Sequence, residues 1–240
     1  MIDAIRYGSQ MLIPEIGAEG QQKLSAARVL VIGAGGLGCP VLLNLCGLGV
    51  GTIRIADGDV VALSNLHRQY LYPEEAVGQP KALVARDVLR ARNSTLHIEA
   101  VAERFTEQNA PSLIRGMDLI IDCTDNIQSR YCIDSVAQAA QLPFVYGAVR
   151  RFEGQVSVFH YRGGPSFRTL FPDPAAFEGV QDCAVAGIAA FTTSIIGSLQ
   201  VHEAVKIILG SEEVLSGFVL TVDLSTYVMR KWKFDGENTK

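Results

Sequence analysis

The sequence predicts an α/β protein on a mixed sheet, parallel in its N-terminal part and antiparallel in its C-terminal strands, with helices on both faces. Three observations lead there. Apolar, strand-like runs alternate with helical patterns as far as about residue 150. The first of them, Val29-Leu-Val-Ile-Gly33-Ala-Gly35-Gly36-Leu-Gly38, dissolves into glycines where a helix should begin. Beyond 150 the strands follow one another as hairpins do, which makes that part of the sheet antiparallel.

Gly33, Gly35 and Gly38 fit G-x-G-x-x-G, so the sheet is Rossmann-like. The first glycine permits a tight turn, the second lets backbone approach a phosphate, and the third lets strand and helix pack closely. The helix of residues 36–48 would aim its free N–H groups and the positive end of its dipole at an anion. A second strand, 52–57, ends in Asp57, where such folds hold a ribose hydroxyl. Taken alone, the glycines fit a ligand-free turn. With the strand before, the helix after and Asp57 in place they point to a nucleotide. The motif itself leans towards a dinucleotide such as NAD, and later residues must decide which.

The loop 58–72 has no period but carries Asp59, Ser64, Asn65, His67, Arg68 and Gln69 just past a strand's C-terminal end. Ligands of open α/β sheets bind there. Gly78-Gln79-Pro80-Lys81 opens a helix to about 92, with Lys81 where the helix dipole disfavours a cation. The choice is between a solvated lysine and one that meets an anionic ligand. A strand at 97–101 and a short helix at 106–115 follow. A buried strand from 118 ends in Asp122-Cys123-Thr124-Asp125-Asn126. There Asn126 can cap a helix to about 141, and Asp122 and Asp125 could bind a cation. A strand at 143–149 closes the parallel part. Then come an alternating strand at 155–161, a Gly/Pro-rich loop at 162–183, a long apolar helix at 187–209, and strands at 218–223 and 227–233.

All 240 residues read as one domain: an N-terminal helical arm (1–27), a nucleotide-binding part (28–150), and the antiparallel strands, crossover loop and long helix (151–234). Hydrophobic residues make up 48% and charged residues 19%, with a net charge of −4, so any anion site is local and no nucleic-acid partner is expected. The N-terminus lacks a secretory signal, which predicts a cytoplasmic protein. The apolar run 184–201 is shorter than a bilayer span and runs into His202, Glu203 and Lys206, so it reads as a buried helix and no membrane partner is expected. The 5 cysteines include no C-x-x-C pair; Cys39 and Cys46 read as core.

Gly33-x-Gly35-Gly36-Leu-Gly38-Cys39, Asp57-x-Asp59, Ser64-Asn65-Leu66-x-Arg68-Gln69, Gly78-Gln79-Pro80-Lys81 and Asp122-Cys123-Thr124-Asp125-Asn126 together resemble the ThiF/MoeB/HesA family, bacterial relatives of ubiquitin-activating enzymes. The likeness runs from about Arg6 to Trp232 and includes Glu153-Gly154-Gln155 and Gly197-Ser198-Leu199-Gln200. It implies an adenylyltransferase that uses ATP and Mg²⁺ to activate the C-terminal glycine carboxylate of a small ubiquitin-like sulfur carrier. That carrier, ThiS-like or MoaD-like, would end in Gly-Gly and serve thiamine, molybdopterin or related cofactor synthesis. By the same likeness Gly36 and its neighbours approach the phosphates and Asp57 holds the ribose, with Gly33 and Asp59 also in the nucleotide site. Ser64, Asn65, Arg68, Gln69 and Lys81 belong to the nucleotide site, with Arg68 and Lys81 stabilising the leaving pyrophosphate. Asp125 would bind Mg²⁺ and Asn126 would shape the pocket. Arg130 is either a pocket residue or half of a helix-face ion pair. NAD has no need of Arg68, Lys81 and a magnesium carboxylate in one crevice, so it becomes the minor alternative. Adenylation of another carboxylate and a non-catalytic nucleotide-binding role are the others.

Three features depart from the pattern. Many members carry zinc on two C-x-x-C pairs; here the first place reads Ser166-Phe-Arg-Thr169 and the tail has no cysteine. Zinc is not expected, and loop and tail would be held by packing alone. The usual Arg-Tyr-x-Arg-Gln of the arm, whose second arginine reaches the partner subunit's ATP site in a homodimer, reads Arg6-Tyr7-Gly8-Ser9-Gln10. A homodimer is still expected, with Arg6 the one candidate to replace that contact. Cys183 stands where some members use a cysteine for a covalent intermediate and others keep one without that need.

Overall fold

The computed structural model describes residues 4–173 and 187–234. The arm forms α1 (Ala4–Met11) and α2 (Gly17–Ala26), broken around Pro14 as the sequence suggests. There follow β1 (Arg28–Ile32), α3 (Gly38–Leu48), β2 (Thr52–Ala56), α4 (Lys81–Arg92) and β3 (His97–Val101). Then come α5 (Ala110–Leu113), β4 (Leu119–Asp122), α6 (Ile127–Ala140), β5 (Phe144–Arg150), β6 (Glu153–Phe159) and α7 (Phe167–Leu170). The long helix α8 (Ala190–Leu209) leads to β7 (Phe218–Asp223) and β8 (Val228–Lys233).

One eight-stranded sheet runs in the order β3-β2-β1-β4-β5-β6-β7-β8. Pairing is parallel from β3 to β5 and antiparallel from β5 to β8, the division read from the sequence. The chain leaves β1 towards β2 on one side and returns through β4 on the other. A crevice therefore opens at the carboxyl ends of β1 and β4.

The strand expected at 155–161 is shifted to Glu153–Phe159, and the loop expected from 162 contains the short helix α7. Three further boundaries move, each for a local reason. Residues 35–37 stay a turn, and α3 begins at Gly38. The helix expected at 106–115 shrinks to one turn, because the Asn109 side chain accepts the Thr106 N–H and holds the preceding loop non-helical. The long helix begins at Ala190 because Ile188 is bridged to Arg151, whose N–H donates to Gly187. Cys183 lies outside the described residues.

The distant motif residues are packing devices. A Cβ on Gly197 would lie 2.6 Å from Pro40 Cγ, and one on Gly154 would lie 2.3 Å from Ile196 Cγ1. Their absence lets α8 lie directly on α3 and on β6. Gln200, fully buried in α8, donates to the Asp122 carbonyl at 2.6 Å and so locks that helix to the end of β4.

Packing alone does not hold the region around Ser166, and that expectation is corrected. Asp134 on α6 is buried and accepts from His160 Nε2 at 2.8 Å, from the Phe167 N–H at 2.8 Å and from Arg168 Nη1 at 2.7 Å. Ser166 and Thr169 form a reciprocal capping box on α7. Around this hub Phe167 meets the rings of Tyr131, Phe144, Tyr146, Phe159 and Phe171 at centroid distances of 4.7–6.3 Å. Burial pushes the Asp134 carboxyl up; the His160 and Phe167 hydrogen bonds with the His160 and Arg168 partners outweigh it and hold the group below its ordinary range.

Removal of one partner from a buried charged network is strongly destabilising, so Asp134→Ala should lower unfolding stability by about 3–5 kcal/mol in a denaturant titration. A carboxyl depressed in the folded state contributes stability above its unfolded value and loses it as pH falls through the folded value. Stability measured against pH should therefore fall less in that acid window for Asp134→Asn than for the parent.

Candidate nucleotide site

The turn between β1 and α3 is built around glycines that admit no side chain. Gly33 has φ +93°, and a Cβ there would lie 2.7 Å from the Cys123 carbonyl oxygen. A Cβ on Gly38 would lie 2.3 Å from the Gly33 carbonyl oxygen. The Ala34 peptide between them is clamped from both sides: its N–H donates to Asp57 Oδ2 at 2.7 Å, and its carbonyl accepts from Tyr72 Oη at 2.6 Å. The turn is thereby fixed with Gly35, Gly36 and Leu37, the residues just ahead of α3, at the crevice.

Asp57 does more than end β2. Its other oxygen accepts the Asp59 N–H at 2.7 Å, so the carboxylate joins the glycine turn to the loop after β2. Burial raises its pKa, partly countered by those two N–H donors and by Lys81. The same loop pairs with the entry to α4: Lys81 N–H donates to the Asp59 carbonyl at 2.9 Å, and Val61 N–H to Gln79 at 2.9 Å.

Lys81 is thus set at the first turn of α4 with its side chain only 5% exposed, so the solvated reading is corrected. The unfavourable dipole is met within the chain, because Lys81 Nζ lies 3.3 Å from Asp59 Oδ2. Asp59 also pairs with Arg104 at 3.2 Å. Burial pushes the Asp59 carboxyl up, and Lys81 and Arg104 bring it below its ordinary range.

A crevice of about 590 Å³ is lined by Gly33, Gly36, Asp57, Asp59, Arg68, Gln69, Lys81, Asp125 and Asn126, nine of the residues singled out in the sequence. Ser64 and Asn65 are not among its lining residues. Asn65 acts one step back, its Oδ1 accepting from Arg68 Nη2 at 2.8 Å, while the Ser64 carbonyl faces His67 Nδ1 at 3.1 Å. Asn126 caps α6 by accepting the Ser129 N–H at 2.9 Å. Gln69 is a buried lining residue whose Oε1 has no hydrogen-bond partner.

Asp122 is not placed to hold a cation. Fully buried, it accepts from Thr124 N–H and Oγ1 at 2.8 and 2.6 Å and pairs with Arg130 at 3.4 Å. Burial raises its pKa against the opposing pull of Arg130 and Thr124. Arg130 is both things at once, a partner of Asp122 and a lining residue, with its guanidinium 5.1 Å from the Tyr146 ring centroid. Asp125 is exposed to the crevice and has no hydrogen bond or ion pair among the described residues. No group of three or more His, Cys, Asp or Glu side chains among them could hold a metal ion unaided. One free carboxylate in a crevice that also holds Arg68 and Lys81 fits Mg²⁺ only together with a ligand's own oxygens, since that ion is commonly held by one or two carboxylates and substrate phosphates.

Arg104, Phe105 and Thr106 also line the crevice, and none was singled out from the sequence. Their signal was positional, since they follow the carboxyl end of β3. Gln128 and Ser129 follow Asn126 in the same way, whereas Ile188 and Thr193 arrive only through the packing of α8 and carry no local signal. In the arm, Arg6 donates to the Arg92 carbonyl at 3.2 Å, at the far end of α4 from Lys81. Cys39 is a core thiol whose pKa burial drives up to about 12. Cys46 is buried too, and no helix among the described residues is long and apolar enough to cross a membrane.

The ThiF family model matches residues 7–240. The chain belongs to the ThiF family. It is 43% identical over 231 residues to the sulfur carrier protein adenylyltransferase of Thermus thermophilus, covering 94% of this chain and 85% of that protein. It is 42% identical over 228 residues to the adenylyltransferase and sulfurtransferase MOCS3 of Anopheles gambiae, and there spans 52% of the relative's length. Among solved structures PaaA matches with a TM-score of 0.80 at 25% identity, covering 97% of this chain and 73% of that one. E. coli MccB with ATP matches with a TM-score of 0.81 at 20% identity, covering 98% and 73%, a likeness of fold.

Because the turn has no room for a methyl group, Gly38→Ala should cost about 1–3 kcal/mol in thermal unfolding through strain at Gly33. Its loss of nucleotide affinity, read by calorimetry, should exceed that of a surface substitution of equal stability cost.

Proposed function

We propose that this protein is an ATP-dependent adenylyltransferase that activates the C-terminal glycine carboxylate of a small ubiquitin-like sulfur carrier. The observation that carries this reading is the convergence of Arg68, Lys81 and Asp125 on the glycine turn of a single crevice, in a chain so similar to a sulfur carrier protein adenylyltransferase. In the reaction a carboxylate oxygen of the carrier attacks the α-phosphorus of ATP. The bond from that phosphorus to the bridging oxygen breaks, and pyrophosphate leaves with the electron pair. An acyl-adenylate remains on the carrier.

No proton need move, so the demands are electrostatic: two anions must be brought together and the charge growing on pyrophosphate stabilised. Lys81 and Arg68 supply fixed positive charge at the phosphates, with Arg68 oriented by Asn65. Asp57 retains lone pairs for a ribose hydroxyl beside its two backbone donors. The Gln69 amide completes its hydrogen bonding against the nucleotide. Asp125 would hold the Mg²⁺ that accompanies ATP, and that ion would offset the charge of the phosphates. A homodimer and a cytoplasmic location belong to the same reading, supported by the family likeness.

ATP–pyrophosphate exchange tests the function directly. Exchange should require Mg²⁺ and one carrier, and should vanish when the carrier's last glycine is removed. Exchange with no carrier but with another carboxylate would move the substrate; ATP binding without exchange would make the protein a non-catalytic relative. Lys81→Met and Asp125→Ala should each lower exchange by about 10²-fold or more while circular dichroism stays unchanged. Cys183→Ala should leave exchange intact, which would assign any covalent role of that thiol to a later step.

A further inference from the structure

Asp59, Lys81 and Arg104 form a charge triad at the crevice that no sequence motif contains as a unit. Lys81 Nζ lies 3.3 Å from Asp59 Oδ2, and Arg104 Nη2 lies 3.2 Å from Asp59 Oδ1, so each carboxylate oxygen holds one cation. Arg104 is 82% exposed on its side chain, and burial does not fix it. Its backbone is what is built into place. A Cβ on Gly58 would lie 2.7 Å from both Arg104 N and Arg104 Cγ, so the loop after β3 rests directly on Gly58. Asn109 then pins that loop, donating to the Arg104 carbonyl at 2.9 Å while accepting the Thr106 N–H at 2.9 Å.

The consequence is electrostatic. Without Arg104, Asp59 and Lys81 would be a neutral pair, and incoming phosphates would compete with a carboxylate for the buried ammonium. A second cation on the same carboxylate makes the triad net positive and weakens the hold of Asp59 on Lys81. When Lys81 turns to a phosphate, Asp59 still has a partner, so no unpaired carboxylate is left facing the nucleotide. We propose that Arg104 is a positioning residue that acts through Asp59 to free Lys81 for the phosphates of the nucleotide. This rests on the reading of the crevice as an ATP site.

The test is a double-substitution cycle read by calorimetric binding of MgATP and of adenosine. The parent protein is measured first, and if it binds no ATP, the reading of the crevice fails. Given binding by the parent, Arg104→Gln should weaken ATP by about fivefold and leave adenosine unchanged, and Arg104→Lys should restore most of the loss. In the Asp59→Asn background the same Arg104→Gln change should alter ATP affinity by less than about twofold. Equal losses in both backgrounds would mean that Arg104 touches the nucleotide directly and would overturn the inference. So would unchanged ATP affinity in Arg104→Gln, or an equal loss for adenosine.

Discussion

The carboxylate of Asp57 is the fixed point of the site. One oxygen holds the amide of the glycine turn and the other holds the amide of Asp59, both at 2.7 Å. These bonds couple two loops that leave neighbouring strands, and what lies beyond depends on that coupling. The turn sets where Gly35 and Gly36 meet the crevice, and the Asp59 segment sets where α4 starts and so where Lys81 stands. A carboxylate with burial against it is retained because two backbone donors would otherwise be orphaned.

The antiparallel half contributes differently. There β5 and β6 form the floor on which α8 lies, and that helix carries Thr193 to the crevice beside Gly36. Gln200 ties the same helix to the end of β4, the strand that delivers Asp125. Behind α6, the buried Asp134 hub secures the segment around Phe167 by charge and hydrogen bonds. The base of the helix that presents Asn126 and Arg130 is anchored there as well.

Much of this was legible in the sequence because it is local. Period, glycine spacing and capping residues act over a few positions, and they placed the strands, the β1–α3 turn and the Asn126 cap. The residues that line the crevice from within such motifs were found for the same reason. What escaped depends on contacts distant in sequence. Nothing near Lys81 announces that Asp59 will neutralise the dipole conflict, and nothing near Asp122 announces that Arg130 and Thr124 will occupy its oxygens. Arg104 reads as a surface arginine until Gly58 is seen beneath it. Likewise, absent cysteines near 166 suggested plain packing, because a charged hub between residues 134, 160 and 168 has no sequence period.

Asp59 gives Lys81 a counter-ion that belongs to the chain itself. A buried lysine whose only anion were the substrate's phosphate would tie folding to occupancy, and the empty protein would pay for an uncompensated charge until ligand arrived. Here the buried ammonium has its counter-ion before anything binds. Folding and recognition are therefore separable traits, so the crevice can discharge its product and wait, intact, for the next nucleotide.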